Sequence, residues 1–434
     1  MRKVFSRALL IIMLVGGLIL VSDVHFDTVK ASTDVMGIIA SDTTWTQANS
    51  PYNLAGNVLV NSGATLTIET GTTLNTNDYY IRVNGTMIIQ SGVTINLESA
   101  SRAIQVNGVL TARGTSTNPI HVNGVAYSPS PFIPPTYSSI VFSQSSIGWD
   151  EQTGSGCIIE DMIFSQTDVT IRNSLKLTEC TFVDNSGIIV YGGSPVISKN
   201  EILGIIDIKG GSPTISNNNF SDGCIAFYGE DGGEFVSIVD NIISGGAGRP
   251  SGSSTCIWFG GSHGYGGHVL IERNLITNSY YGIFIFSPNF NILKTSLTIQ
   301  NNTITNNEVG ISVKNPHSPT ITRNNIYGNS INIELSRDAS KDITATYNWW
   351  GTTDTQTISQ LIVDFEDNLF DLGTVDFIPF LTEPNPEEMS TPIPEFPSWI
   401  ILPLLLTSTL LVILCRQCLN SKKVTKEGNG DWTG

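Results

Sequence analysis

One short frame recurs seven times in the middle of the chain, and it constrains the fold more than anything else in the sequence. Ile197-Ser198-Lys199-Asn200-Glu201-Ile202, Ile215-Ser216-Asn217-Asn218-Asn219-Phe220 and Ile238-Val239-Asp240-Asn241-Ile242-Ile243 place Asn three residues after an apolar residue and two before another. The frame returns over 271–276, 299–304, 321–326 and 345–350. Asn200, Asn218, Asn241, Asn274, Asn302, Asn324 and Asn348 therefore form one column. Two upstream copies, 159–164 and 177–182, keep the apolar frame but put Met162 and Cys180 in that column. Successive Asn residues lie 18, 23, 33, 28, 22 and 24 apart. A unit of about 20 residues with variable insertions marks a solenoid, whose units bury their apolar faces only against each other.

Each unit also holds a segment of period two: Ile188 and Val190, Ile206 and Ile208, Ile283 and Ile285, Ile311 and Val313. Such alternation in short runs predicts strands. Gly187, Gly223, Gly282 and Gly310 punctuate the copies as turn residues. The expected fold is an all-β coil of short parallel strands stacked about 4.8 Å apart, with inward Ile and Val in ladders. An Asn inside each turn can donate and accept along its own column, which no apolar side chain can do. From Gly37 to Val125 the Asn column is missing, but dense alternation continues around Asn84-Gly85 and Asn107-Gly108, so the coil begins there.

Composition agrees. Charged residues make up 14%, against about 25% in ordinary soluble proteins. Asn, Ser, Thr and Gly take their place, which excludes a helical bundle or coiled coil. The regular β-branched residues exclude simple disorder. A net charge of −16 excludes nucleic acid as a partner, because binding it requires cations to neutralise phosphates.

The ends read as targeting segments. Arg2, Lys3 and Arg7 precede an apolar run, so residues 1–31 are expected to be an export signal. Phe396 to Leu414 carry no charge and are followed by Arg416, Lys422 and Lys423. A transmembrane helix over 398–415 with a cytoplasmic tail over 416–434 follows from length and the positive-inside rule. Residues 383–397 form a Pro-rich stalk, leaving 32–382 for the coil, with insertions near 128–138, 245–254 and 260–267. Without the two ends the exterior part holds 14 basic and 34 acidic residues, a net −20.

Over 37–382 the chain resembles the right-handed parallel β-helix proteins of archaeal and bacterial surfaces, which share their repeat with pectate lyases and NosD-type periplasmic proteins. Asp42-Thr43-Thr44-Trp45-Thr46, Tyr347-Asn348-Trp349-Trp350-Gly351 and 375–381 look like the archaeal members. So does Pro394-Glu395-Phe396-Pro397-Ser398 before the anchor. The resemblance implies the fold and leaves the activity open, since the fold hosts lyases, hydrolases, adhesins and structural proteins.

Candidate chemistry is sparse, and no catalytic residue is assigned. Asp161, Glu179, Lys199, Asn217, Asp240, Arg273, Asn301, Arg323 and Tyr347, just before the Asn column, are expected to point outward. Glu179–Lys199 and Asp240–Arg273 would then be surface ion pairs between adjacent coils. Asp184, Asp207 and Asp222 are candidates for a carboxylate pair. His263 and His268 lie in a Gly-rich insertion and suggest no metal site by themselves. Glu230 to Glu234 offer charge for Ca2+ without ligand spacing. Cys224 and Cys256 are expected to stack inward, as buried thiols or a disulfide. Asn84, Asn219 and Asn301 head glycosylation triplets.

If Ile188, Ile206, Cys224, Cys256, Ile283 and Ile311 face inward, Tyr191, Lys209, Phe227, Phe259, Phe286 and Lys314 share an outward column. Tyr191, Phe227, Phe259 and Phe286 would then form an aromatic stripe, either open for docking or buried under the insertions. The functional expectation is a membrane-anchored surface protein with a binding or structural role toward glycans or envelope proteins. The alternatives are a polysaccharide lyase or glycoside hydrolase, and a NosD-like extracytoplasmic accessory protein.

Overall fold

The computed structural model describes residues 32–98, 102–127, 136–228, 235–246, 254–260, 267–286, 295–314, 318–336, 339–365 and 373–387. The export signal, the 398–415 segment, the tail, residues 388–397, His263 and Glu230 to Glu234 lie outside those residues. Among the described residues no helix is long and apolar enough to cross a membrane.

Each coil passes through three short strands joined by turns, as in Val196–Ser198, Glu201–Ile202 and Ile205–Ile208. First strands stack into a 12-stranded sheet, and second and third strands belong to a 26-stranded one. Successive coils pair in parallel, so Ile197 lies over Ile215 and Ile206 over Ile225. One inward column climbs from Val60 through Val83, Val106, Phe142 and Ile171 to Val190. It continues through Ile208, Phe227, Phe259, Ile285 and Val313 to Leu335. Full burial of each such side chain contributes about 1.5–3 kcal/mol, and the narrow core is filled by stacking like on like. Phe164 rests on Phe182 at 4.7 Å and Phe227 on Phe259 at 4.3 Å between ring centroids, close to the spacing of the strands themselves.

The seven column asparagines are all buried. Each Oδ1 accepts from both amides of the Asn one coil earlier: Asn241 takes the Asn218 N–H and Nδ2 at 2.9 Å each. Each Nδ2 also donates to a carbonyl of the coil before, as Asn241 does to Ile215 at 2.9 Å. The pattern runs to Asn348, and at the other end Asn200 Oδ1 caps the Cys180 N–H at 2.9 Å. The preceding residue in each copy is left-handed: φ is 50° at Asp161, 57° at Glu179, 58° at Lys199, 51° at Arg273 and 59° at Tyr347. That conformation costs about 1–2 kcal/mol for a non-glycine residue. It also turns the N–H toward the next coil, where Lys199 donates to the Ser216 carbonyl at 3.1 Å. The Glu179–Lys199 and Asp240–Arg273 pairs form between these outward side chains at 3.3 and 2.8 Å.

The amino-terminal coils carry a second amide ladder on the outside. Asn75, Asn96 and Asn123 each donate Nδ2 to the Asn one coil before, at 2.8, 2.8 and 3.0 Å, beginning at Asn53. The expected insertion at 128–138 is shorter than its sequence suggested. Residues 136–142 are a strand of the wall, with Ser138 fully buried. At the far end Trp350, Phe377 and Phe380 close the core, beside a helix at Thr355–Gln360 capped by Asp354. The folded body also runs past the expected limit of 382. Asn385 is buried, its N–H donating to Asn325 Oδ1 at 2.7 Å and its Nδ2 to Asn301 Oδ1 at 3.1 Å.

The expected aromatic column needs correction by one residue. Register places Phe227 over Ile208 and Phe259 over Phe227, both in the inward column. They are 2% and 8% exposed and belong to the core. The inward partners of Ile206 are Ile225, Ile257 and Ile283, not Cys224 and Cys256. A one-residue slip moves every side chain to the other face. Cys224-Ile225-Ala226-Phe227 and Cys256-Ile257-Trp258-Phe259 are apolar at every position, so alternation does not reveal which residues are inside.

Candidate functional site

The corrected register exposes a different face, built on third strands at Thr167–Ile171, Ile188–Val190, Ile205–Ile208, Cys224–Phe227, Thr255–Phe259 and Tyr281–Ile285. Its outward column reads Thr170, Ile189, Asp207 and Ala226, then Trp258 and Phe284. The two halves of this face differ in chemistry.

The second half is apolar. Trp258 and Phe284 are buried at 8% and 4% exposure together with Cys224 and Ala226, and Tyr228, Tyr281 and Phe286 pack against them. Trp258 lies across Gly260, where an added Cβ would sit 2.0 Å from the indole. Phe286 is thus a half-buried packing residue, and Lys314 places its ammonium 4.9 Å from the Phe284 ring. These aromatics fill a second, outer core.

The first half is polar. Arg172, Tyr191, Lys209 and Tyr228 follow their strands at equivalent positions and alternate cation with ring. The Arg172 guanidinium lies 4.1 Å from the Tyr191 centroid, and Lys209 lies 5.1 Å from Tyr191 and 5.8 Å from Tyr228. Lys209 also donates to the Tyr191 hydroxyl at 3.3 Å. Among the described residues neither Arg172 nor Lys209 has a carboxylate at ion-pair distance, whereas Arg113, Lys176, Lys199 and Arg273 do. These two cations thus stack on a tyrosine in a chain of net charge −16.

Asp168 lies at the other end of the strand Thr167–Ile171 from Arg172, next to the bare backbone of Gly187, whose added Cβ would sit 3.3 Å from Asp168 Oδ1. Burial pushes its carboxyl up to about 7, the charge of Asp207 adds to the effect, and the Gly187 N–H opposes it. Asp184 and Asp222, the other two carboxylate candidates, are exposed in the turns before the strands Ile188–Val190 and Cys224–Phe227. Raised affinity for the proton means that the folded state holds it between about pH 4 and 7 when the unfolded chain does not. Stability from this group is therefore full below pH 4 and lost as pH rises through 7. Ionisation is expected to cost the fold about 2 kcal/mol, after discount for the carboxyl's partial solvent contact. Asp168→Asn should flatten that part of the stability profile, measured by denaturation from pH 4 to 9. An unchanged slope would remove Asp168 as its source.

The remaining candidates are placed plainly. His268 lies in the strand Gly267–Glu272 rather than in a loop, its ring stacked on Phe235 at 5.3 Å and 3.2 Å from Ser296 Oγ. Among the described residues no group of three His, Cys, Asp or Glu is arranged to hold a metal. Cys157, Cys180, Cys224 and Cys256 are buried thiols. Burial raises the Cys256 thiol to about 12, so it is not a nucleophile. Cys224 packs in the outer apolar cluster and Cys256 in the inner core. Asp168, Arg172, Tyr228, Trp258 and Phe284 were not singled out from the sequence. A register anchored on Ile225 and Ile257 would have found the last three.

Comparison with known proteins agrees with the architecture. A family described as a right-handed β-helix region matches residues 224–359. No curated protein matches the chain. No solved structure matches it either.

Proposed function

We propose that this right-handed parallel β-helix repeat protein is exported, held at the cell surface by its 398–415 segment, and binds an acidic glycan on the face around Tyr191. The observation that carries the binding reading is the Arg172–Tyr191–Lys209 stack, two cations beside one ring without a carboxylate partner among the described residues. A uronate carboxylate or sugar sulfate matches their N–H groups, and a repeating polymer matches a face that repeats at strand spacing. The Tyr191 hydroxyl, which accepts from Lys209, supplies a neighbouring group for a sugar hydroxyl. Surface location rests on the charge-free 396–414 run, its basic flank and the amino-terminal signal pattern.

Titration of the full-length protein with a polyuronate, a sulfated glycan and a neutral glucan tests the reading. Binding is expected for the acidic polymers only and should weaken with salt. Arg172→Gln with Lys209→Gln should lower affinity at least tenfold without changing the melting temperature much, because surface contacts of this kind contribute little to stability. Equal binding of the neutral glucan, or wild-type affinity in the double variant, sinks it.

A second reading, a glycoside hydrolase, is favoured by one observation: burial keeps the carboxyl of Asp168 protonated up to about pH 7, on the same face as Asp207 two coils on. A protonated carboxyl near neutral pH suits a general acid, with Asp207 as its base. Release of reducing ends from the bound polymer, abolished by Asp168→Asn, would select this reading over simple binding.

A further inference from the structure

We infer that Asn84 is a site of N-linked glycosylation, that the fold closes the acceptor triplet at Asn301, and that the amide of Asn219 is engaged at the surface. The three differ sharply in what their side-chain amides do. Asn301 is 6% exposed and left-handed, with Nδ2 donating to Glu272 Oε1 at 3.3 Å and Oδ1 accepting from Asn385 at 3.1 Å. A glycan on its Nδ2 would break the contacts that pin residue 385 to the wall. Asn219 is half-buried, and its Nδ2 donates to Glu201 Oε2 at 2.8 Å.

Asn84 is exposed, in the turn between the strands Ile81–Val83 and Thr86–Ile89. Its backbone N–H is tied to the Val60 carbonyl at 2.9 Å, and its Oδ1 accepts from Asn107 Nδ2 at 2.9 Å. Among the described residues nothing accepts from its Nδ2. The side chain is thus held with oxygen toward the next coil and nitrogen toward solvent. The middle residue of the triplet has to be glycine here, because a Cβ on Gly85 would sit 2.2 Å from the Ala64 carbonyl oxygen and 2.3 Å from that of Asn61. The donor is a lipid-linked oligosaccharide phosphate of the export pathway. The bond from the sugar anomeric carbon to Asn84 Nδ2 forms, the bond from that carbon to phosphate breaks, and Nδ2 gives up one proton. A glycan there projects from a turn edge without disturbing a hydrogen bond. The inference rests on the export reading.

The full chain, produced in a host whose secretory pathway transfers lipid-linked oligosaccharides, gives the test. Peptide mass spectrometry of folded, membrane-extracted protein is expected to find the peptide with Asn84 carrying glycan and those with Asn219 and Asn301 bare. Removal of the glycan should shift gel mobility in the wild type and not in Asn84→Gln. A bare Asn84, or glycan on Asn301 in folded protein, overturns the inference. Surface protease accessibility distinguishes the two ways of failing: a bare Asn84 on an exposed chain refutes this site alone, and a bare Asn84 on a chain that never leaves the cytoplasm refutes the export reading with it.

Discussion

Asn241→Leu is expected to lower the unfolding free energy by about 4 kcal/mol, through the groups it leaves behind rather than the volume it changes. Asn241 is fully buried near the middle of the ladder. Its Oδ1 satisfies two donors of Asn218, and its Nδ2 reaches Ile215, Val239 and Asn274 at 2.9–3.0 Å. Leucine keeps the backbone bond to Asn274 but strands the Asn218 N–H in the core. An unsatisfied buried group costs about 1–3 kcal/mol, and more than one is stranded here. In a solenoid each coil is supported only by its neighbours, so damage in the middle also uncouples the two halves. Asn219→Ala, which removes one amide contact to Glu201 at the surface, should cost under about 1 kcal/mol. Denaturant unfolding followed by circular dichroism compares the two. Equal losses would mean that the ladder is an ornament of the repeat and not its support.

Gly204→Ala should be nearly as damaging, for a reason of space. A Cβ on Gly204 would lie 1.9 Å from the Ser186 carbonyl oxygen of the coil before, an atom of the main chain that cannot swing aside. Ser186 itself is buried, with its hydroxyl held by the Thr167 N–H at 3.1 Å. The methyl group must therefore open the stack locally, against a strand spacing of about 4.8 Å set by hydrogen bonds on both sheets. Overpacking against backbone is expected to cost about 3 kcal/mol. Gly63 separates this effect from backbone strain. It has φ of 84° but nothing within 4 Å of an added Cβ, so Gly63→Ala should cost only about 1 kcal/mol. A smaller loss at Gly204 than at Gly63 would refute the close-approach account.

Much of this molecule is legible in its residues. The Asn frame, the period-two runs and the low charge lead to a parallel coil with a buried amide column, and the outward ion pairs follow from the same frame. What escaped is equally specific. Nothing in Glu179, Lys199, Arg273 or Tyr347 as residue types announces left-handed backbone. That conformation is imposed by the next residue, whose amide must enter the core. The strands Cys224–Phe227 and Thr255–Phe259 are buried on both faces because they have two cores to fill, and this hid the register. The polar half of the candidate site escaped for another reason. Tyr191 and Lys209 stood in the expected outward column, but Asp168 and Arg172 are ordinary residues of the coil before and nothing local pairs them with it.

The sequence by itself determined the repeat, because every unit must bury the same inward residues and satisfy the same turn amides whatever its neighbours are. Only the tertiary structure decided which side chains meet on the outside. Contacts there join residues about 20 positions apart, and their partners depend on the length of every intervening turn. One residue more in a turn, as between Ile206 and Ile225 compared with Ile188 and Ile206, changes which residue of each strand faces out, and no local preference records that choice.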